Sequence, residues 1–211
     1  MQKKLLDFAK ELGLVLTDKS AILLLRYADL IWQKKDMLNL TSVSNKEEIV
    51  TRHICDGLAA VAFIISKTRE KTNLTIADMG SGAGYIGITI AIALPQMQVS
   101  LIESLEKRCA FLNWVSMKLD LKNIRVVNIR LGQQSAGTFD VITERAMGQL
   151  NDILPLVIPS LNVEGFFVAY QSAKGGADNA LLGHLDVQEK ETVSYRLPCE
   201  EKERYLSVFS R

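Results

Sequence analysis

The sequence predicts an α/β fold, with helices over residues 1–70 and a second unit over residues 71–211. The second unit is predicted to be a mostly parallel seven-stranded sheet with an antiparallel C-terminal hairpin. From Leu74 onward, short β-rich runs alternate with helical stretches, which is typical of a doubly wound parallel sheet. The last two β-rich runs have only a short turn between them. Four glycines among eight residues, Gly80–Gly87, separate the first strand from the next helix.

The N-terminal part is predicted to be helical. Apolar residues recur at helical spacing in MQKKLLDFAKELG, DKSAILLLRYADLIWQKK and SNKEEIVTRHICDGLAAVAFII, with the polar connector DMLNLTSVS before the third helix. That helix opens with Ser44 and Glu47 at the spacing of a capping box. Asp56 lies one helical turn after Arg52, so we expect an ion pair between these two side chains.

The second unit contains the predicted strands and the helices between them. The strands are LTIADM, QVSLIE, IRVVNI, FDVITERA, GFFVAYQS, DVQEKETVSYRL and RYLSVFSR, and the helices are YIGITIAIAL, SLEKRCAFLNWVSMKLDL and LNDILPLVIPSL. The final two strands flank the short turn PCEEKE. They are therefore predicted to pair as an antiparallel hairpin.

Composition excludes several classes of protein. The 211 residues suit one sizeable domain with or without a small appendage, and 48% hydrophobic with 23% charged residues is ordinary for a globular chain. A net charge of +1 gives no overall attraction to nucleic acid or membrane, so an anionic partner needs a local basic patch. Cys55, Cys109 and Cys199 suit neither a zinc cluster nor a disulfide framework. We therefore expect no metal and a reducing cytoplasm, and no apolar run reaches the ~20 residues of a membrane span.

The glycine-rich loop predicts a ligand site, because backbone N–H groups at glycines can approach a ligand without interference from Cβ. The stretch Gly82–Gly87 matches the dinucleotide pattern G-x-G-x-x-G. The fuller pattern, however, is Asp78 followed by Gly80, Gly82 and Gly84. An acid at a strand end before three alternating glycines resembles the S-adenosylmethionine (SAM) site of class I methyltransferases. A carboxylate there suits a cationic sulfonium and would repel a pyrophosphate.

The second strand ends at Glu103, where a carboxylate can accept hydrogen bonds from both ribose hydroxyls of a nucleotide. Ser104, which follows it, is expected to contact the cofactor as well. NAD and SAM both carry a ribose, so Glu103 does not separate them. A dehydrogenase would need a substrate domain, but only about 60 residues follow Gln149, and they end in a hairpin like the reversed strand of methyltransferase sheets.

Four motifs together resemble the RsmG (GidB) family, the bacterial 16S rRNA guanine-N7 methyltransferases. They are W…NLTSV…RHICDGL, ADMGSGAGYIGITIA, LIESLEKRCAFL and FDVITERA, in the family's order and over nearly the whole chain. The resemblance implies a helical N-terminal part on a Rossmann-like class I SAM-dependent methyltransferase domain. It implies methylation of one guanine in 16S rRNA. It also implies SAM contacts at Gly80, Tyr85, Leu131, Gly132 and Arg145.

The chain departs from the family pattern at a few positions. Gly132 stands where the family typically has an acidic residue, so an adenine contact there would come from the backbone. Ala83 and Ile86 stand at loop positions where the family usually has proline, and Gly57 replaces a usual serine.

The exit of the fourth strand favours a ring nitrogen as the methyl acceptor. Its sequence, TERAMG, lacks the Asn/Asp-Pro-Pro-aromatic motif of exocyclic-amine methyltransferases. Pro198 and Cys199 lie in the terminal hairpin, so we interpret them as a turn and not as the site of a cysteine nucleophile. Guanine N7 already has an in-plane lone pair and needs neither a base nor a nucleophile. Catalysis would then depend on positioning and electrostatics.

Arg145 is the predicted catalytic residue. It follows a strand that we expect beside the glycine-loop strand. Its guanidinium would either pair with the SAM carboxylate or hold the guanine through O6 or a flanking phosphate. Because we expect the side chain to face a cleft, its replacement should lower turnover and leave the melting temperature almost unchanged.

Other polar residues have two interpretations each. His53 is interpreted as structural, bracing the N-terminal helices against the SAM loop. Lys174 belongs either to a solvated loop or to a phosphate contact, and Lys107 and Arg108 are interpreted as solvated, with RNA contact as the alternative. The expected partner is 16S rRNA, free or within the small ribosomal subunit, and the expected state is a cytoplasmic monomer away from membranes. A non-catalytic RNA-binding factor and an NAD-dependent enzyme remain alternatives.

Overall fold

A computed structural model describes residues 1–68, 71–198 and 200–211 of the protein. The described residues form one seven-stranded sheet in the order β3-β2-β1-β4-β5-β7-β6. The strands are β1 Thr75–Met79, β2 Gln98–Glu103, β3 Ile124–Asn128, β4 Phe139–Glu144, β5 Leu161–Gln171, β6 Gln188–Arg196 and β7 Glu203–Ser210.

The helices are α1 Gln2–Glu11, α2 Asp18–Leu38, α3 Lys46–Glu48, α4 Cys55–Thr68, α5 Gly87–Ala93, α6 Glu106–Lys118, α7 Leu150–Val157 and α8 Asn179–His184. A π-helical segment, Ile49–Ile54, joins α3 to α4, and a 3₁₀ turn, Ile158–Ser160, precedes β5.

Strand pairing confirms the predicted α/β class. Strands β1 to β5 pair in parallel, while β7 lies antiparallel between β5 and β6. β1 lies between β2 and β4, so Asp78 is opposite Leu101 on one side and Thr143 on the other. The carboxyl ends of parallel strands meet at one edge of such a sheet, which is where ligands bind in this architecture. The glycine loop, Glu103 and the exit of β4 therefore converge.

The sheet is covered on both faces, which explains the near-continuous apolar run of its central strands. One core cluster joins the N-terminal helices to α5 and α6, and its buried members include Leu24, Leu58 and Leu112. The other lies under α7 and α8 and includes Leu154 and Phe167.

The N-terminal helices contact the glycine loop directly. The hydroxyl of the fully buried Tyr27, on α2, donates a hydrogen bond to the carbonyl of Ala83 at 2.7 Å. Through this hydrogen bond the N-terminal helices help to fix the shape of the loop.

The predicted boundary between the two units falls between residues 70 and 71, and residues 69 and 70 lie outside the described residues.

Gly57 allows α4 to pack closely on α5. A Cβ at this position would lie 2.6 Å from the Cβ of Thr89. The space that a side chain at position 57 would need is therefore occupied by Thr89 of the neighbouring helix.

Two predictions about the start of the third helical region are wrong. Asn45, and not Ser44, is the cap: its Oδ1 accepts from the Glu48 amide at 3.0 Å, and its Nδ2 donates to the Glu48 carboxylate at 2.7 Å. Arg52 does not pair with Asp56 but with Glu48 at 3.5 Å and Glu200 at 3.1 Å. The intervening π-helical turn changes the face on which later side chains lie, so Asp56 points into the protein while Arg52 stays exposed.

Three further differences concern single elements. The sequence did not predict α8, a short helix that Asp178 caps by accepting from the amide of Ala180 at 2.8 Å. β5 begins at Leu161, four residues before the predicted strand. The predicted turn at Pro198 and Cys199 is only partly observable, because Cys199 lies outside the described residues.

The helical stretch Lys46–Thr68 is long and apolar enough to cross a membrane by length and composition. However, 72% of its apolar window is buried inside the protein. Its apolar character is therefore explained by its position in the core between α2 and α5.

Candidate active site

The glycine loop depends on its glycines at three alternating positions. Gly80, Gly82 and Gly84 have φ values of +67°, +58° and +87°, a region that L side chains rarely adopt. At Gly80 a Cβ would also lie 2.5 Å from the Cγ of Met147. The alternating pattern in the sequence thus reflects a backbone that turns sharply where it leaves β1.

Asp78, near the end of β1, stabilises the glycine loop that follows this strand. Its carboxylate is buried, accepting a hydrogen bond from the Gly87 amide at 3.0 Å and another from the Thr143 hydroxyl at 3.1 Å. Burial raises the pKa of Asp78 to about 6. Both oxygens are thus engaged by the protein itself, so Asp78 acts first as a brace between β1, β4 and the start of α5.

Glu103, at the end of the neighbouring strand β2, also stabilises the glycine loop. One carboxylate oxygen accepts from the Gly82 amide at 2.9 Å, and the other accepts from the Leu105 amide at 2.8 Å and lies 3.5 Å from the Ser104 hydroxyl. The residue is only 5% exposed, yet it lines an open cleft. A carboxylate offers about four lone-pair sites. The two amides use two of them, and two ligand hydroxyls could use the others if the rotatable Ser104 hydroxyl, at 3.5 Å, turns away.

The first cleft has a volume of about 450 Å³, within the roughly 300–1,000 Å³ of small-ligand sites. Its walls are one acid, several apolar side chains and two cations. The lining includes Gly80, Glu103, Ser104, Leu105, Arg108, Arg130, Leu131, Met147 and Leu156. A side chain at Gly132 would meet Leu156 at 2.9 Å. We call this the cofactor cleft.

Arg145 lies beside this cleft, but its guanidinium is not free. One terminal nitrogen donates to the Asp56 carboxylate at 2.6 Å, the other lies 3.3 Å from Nδ1 of His53, and the guanidinium carbon lies 5.1 Å from the centre of the Tyr85 ring. Its side chain lines a second cleft, described below, yet is only 19% exposed because Asp56 binds it.

The carboxylate of Asp56 accepts hydrogen bonds from three side chains. Besides Arg145, the guanidinium of Arg204 donates to it at 2.9 Å and the hydroxyl of Tyr195 donates at 2.7 Å. The residue is fully buried. An unpaired carboxylate there would be very costly, so these donors allow it to stay charged.

His53 connects the N-terminal connector to this cluster. Its ring stacks on Tyr85 at 4.1 Å between centroids, and its Nε2 lies 3.0 Å from the hydroxyl of Thr41. Burial and the neighbouring Arg145 charge lower the pKa of His53 to about 3, so the ring is neutral. The interpretation of His53 as a brace fits these contacts.

A second cleft, of about 430 Å³, lies on the other side of the β4 exit. Arg145, Tyr170, Tyr195 and Glu203 are among the residues that line it, and Ala146 lines both clefts. We call this the acceptor cleft. The β4 exit is therefore the wall between two neighbouring clefts.

The β4 exit is itself strained and braced by a buried acid. Ala146 has a φ of +65°, which is uncommon for a residue with a side chain. The carboxylate of Glu144 accepts from the Met147 amide at 2.6 Å. Burial raises the pKa of Glu144 to about 7, and the Asp78 charge adds to that rise.

The predicted site residues fall into three places. The cofactor cleft is lined by Gly80, Glu103, Ser104 and Leu131. The loop behind it is shaped by Asp78, Gly82 and Gly84. At the side of the cleft, the Arg145 guanidinium stacks on the Tyr85 ring. Sequence analysis missed Glu144, Tyr195 and Arg204. Glu144 had a signal, as the third acid at a strand end in this sequence.

Comparison with known proteins identifies the family. A family model described as rRNA small subunit methyltransferase G matches residues 21–206. The relative "Ribosomal RNA small subunit methyltransferase G" of Lysinibacillus sphaericus is 31% identical over 220 residues, covering 100% of this chain and 90% of the relative. The protein of the same name from Carboxydothermus hydrogenoformans is 32% identical over 222 residues, covering 100% and 92%. The chain belongs to this family.

The fold of this methyltransferase G family member is shared with more distant proteins. The crystal structure of a ribosomal protein L11 methylase from Lactobacillus delbrueckii subsp. bulgaricus superposes with a TM-score of 0.54 at 18% identity, over 73% of this chain and 78% of that one. At this identity the likeness concerns the fold alone, and it agrees with the predicted methyltransferase architecture.

The Asp56 cluster generates a prediction about stability. Arg145→Ala leaves Asp56 with two donors, so we expect the free energy of unfolding to fall by about 2–3 kcal/mol, somewhat less than for a buried charge that loses its only partner. Arg145→Lys keeps a positive charge there and should cost less. The measurement is urea unfolding. Arg52→Ala, which removes only exposed ion pairs, is the control and should cost no more than about 1 kcal/mol.

A double-mutant cycle checks the assignment to Asp56. In an Asp56→Asn background, Arg145→Ala should cost clearly less than in the wild type, because the buried charge it served is gone. Equal costs in the two backgrounds would mean that Arg145 stabilises the fold through other contacts.

Glu144 generates a prediction about pH. The pKa of Glu144 is about 7 in the folded protein and about 4.3 when unfolded, so between these values only the folded state keeps the proton. The stabilisation is complete below the unfolded pKa and is lost as pH rises through the folded pKa. Glu144→Gln stays neutral and keeps an acceptor for the Met147 amide. The free energy of unfolding of Glu144→Gln, relative to that of the wild type, should therefore rise by up to about 3 kcal/mol as the pH increases from about 4 to 7.

The measurement is urea unfolding of both proteins at a series of pH values. Glu201→Gln, at an exposed position, is the control and should follow the wild type. A constant difference between wild type and Glu144→Gln across this range would contradict the prediction.

Proposed function

We propose that this protein is a SAM-dependent methyltransferase that places a methyl group on N7 of one guanine in 16S rRNA of the small ribosomal subunit. It would act as a monomer in the cytoplasm. The observation that carries the proposal is the cofactor cleft, where the carboxylate of Glu103 and a left-handed glycine loop meet in a chain of the methyltransferase G family.

The residues of the cofactor cleft fit SAM. Glu103 keeps lone pairs for the two ribose hydroxyls, and Leu105, Leu131 and Leu156 offer apolar walls to an adenine ring. The amides of the glycine loop would approach the amino-acid part of the cofactor, and the buried charge of Asp78 favours its cationic groups. When bound, SAM supplies the methyl group for transfer.

The acceptor cleft is the proposed place of the guanine. Tyr170 and Tyr195 give it aromatic walls, and Arg145 and Ala146 separate it from the cofactor cleft. N7 carries its own lone pair, so no general base is required, and the protein contributes by aligning N7 with the methyl group. Arg145, already fixed by Asp56, would hold the SAM carboxylate or the guanine O6 with the rest of its guanidinium.

The two alternatives have less support. An NAD-dependent enzyme would bring a pyrophosphate close to the buried acid at Asp78. A non-catalytic RNA-binding factor would have no need for Glu103 to be braced by two backbone amides while it lines an open cleft.

Cofactor binding tests the role of Glu103. The wild type should bind SAM and its demethylated product, and should not bind NAD. Glu103→Ala should weaken product binding by about 1.5–3 kcal/mol, the range for hydrogen bonds to a charged group. Isothermal titration calorimetry measures this, with Glu106→Ala, an exposed neighbour, as the control. An unchanged dissociation constant in Glu103→Ala would remove it from the ribose-binding role, and no binding by the wild type would favour the non-catalytic alternative.

Mass mapping of 16S rRNA tests the reaction. Ribosomal RNA from a deletion strain should lack one N7-methylguanine, and a plasmid copy of the wild-type gene should restore it. Arg145→Lys keeps a charge against Asp56 but loses the fork, so kcat/KM should fall at least ~10-fold, about 1.4 kcal/mol, in a protein that still folds. Full activity of Arg145→Lys would place the catalytic function elsewhere.

A further inference from the structure

The segments that leave the carboxyl ends of β2, β3, β4 and β5 are rich in basic side chains. Counting the first turn of α6, they carry five basic residues and two acidic ones, although the whole chain has a net charge of only +1. The basic residues are Lys107, Arg108, Arg130, Arg145 and Lys174, and the acidic ones are Glu106 and Asp178. Each of these four strand exits thus contributes at least one cation to the same edge of the sheet.

Most of these cations have no acidic partner in the part of the chain that the structure describes. Lys107, Arg130 and Lys174 are exposed and take part in none of its salt bridges. Arg108 reaches only the carboxylate of Glu103, at 3.9 Å. Arg145 differs, because Asp56 already binds it. We call the other four the edge cations.

The opposite edge of the sheet provides a contrast within the same molecule. The loops that enter β1 and β3 contain Lys71 and Lys122, and each of these forms an ion pair, with Glu164 and Asp120 respectively. These two basic side chains at the amino-terminal edge are therefore matched by acids. Arg125, at the start of β3, is exposed and takes part in none of the salt bridges among the described residues, so it is an unpaired cation that lines neither cleft.

The edge cations flank both clefts. Arg108 and Arg130 line the cofactor cleft. Lys174 follows Ser172, which lines the acceptor cleft, and its amino group lies 5.7 Å from the centre of the Tyr205 ring at the start of β7. A nucleotide seated in the acceptor cleft would thus have cations on both sides along the edge.

We propose that the edge cations Lys107, Arg108, Arg130 and Lys174 form the surface that binds the phosphodiester backbone of the rRNA. This inference depends on the proposed function, since the backbone must continue on both sides of a guanine held in the acceptor cleft. Phosphate groups are recognised by arginine forks and lysine point charges without regard to base sequence. Separate cations on successive loops suit a chain of separate phosphates.

The salt dependence of RNA binding tests this surface. Four contacts predict that log Kd for a 16S rRNA transcript changes with log salt concentration with a slope of about 3–4, since each contact contributes about 0.7–0.9. Lys107→Gln, Arg130→Gln and Lys174→Gln should each lower that slope by about 0.7–0.9 and weaken binding about 3- to 10-fold near 0.15 M salt. Lys122→Gln and Arg125→Gln, at the other end of the β3 region, are the matched controls and should leave both quantities unchanged.

Methylation assays separate this inference from the proposed function. If the wild type methylates the rRNA but the three edge variants bind the transcript like the wild type, the edge cations are not the RNA surface. Equal losses in Lys122→Gln or Arg125→Gln would also overturn the proposal, because binding would then follow the whole β3 side of the protein. If the wild type transfers no methyl group, the proposed function fails, whatever the edge variants do.

Discussion

The site depends above all on one buried carboxylate, Asp56. It accepts hydrogen bonds from Arg145 at the β4 exit and from Tyr195 and Arg204 on the terminal hairpin, while it belongs itself to the N-terminal helices. A charge with no exposure must be satisfied by donors inside the protein. Three parts of the chain are therefore held in one arrangement, and the wall between the two clefts is fixed with them.

Three buried acids at strand ends share a role of their own, which is to hold the loops at the carboxyl edge of the sheet. Asp78 near the end of β1, Glu103 at the end of β2 and Glu144 at the end of β4 each accept hydrogen bonds from backbone amides at the carboxyl edge. Loops at this edge must keep a defined shape to position a ligand, and charge-assisted hydrogen bonds to amides are among the stronger ways to hold them. The negative charges of Asp78 and Glu103 also favour a cationic ligand over a pyrophosphate. One set of residues thus shapes the cofactor cleft and sets its electrostatic preference.

Much of the cofactor cleft follows from local sequence. The left-handed turns at Gly80, Gly82 and Gly84 require glycine whatever surrounds them, so the alternating pattern predicts the loop directly. Glu103 is predictable for a similar reason, because it ends the strand next to β1. The acceptor cleft has no such signal. Its residues come from the β4 exit, β5 and the terminal hairpin, which are brought together only by the insertion of β7 between β5 and β6.

The sequence by itself determined the alternation of strands and helices, the glycine loop and two of the strand-end acids, Asp78 and Glu103. Each depends on residues close together in the chain, where periodicity and backbone conformation are local properties. The tertiary structure alone decided the partners of the buried charges. Asp56 lies 89 residues from Arg145 and 148 from Arg204, and a π-helical turn directs it away from Arg52, its nearest cation in sequence. Which charges meet inside a protein depends on which faces pack against each other, and the spacing of residues along the chain does not contain that information.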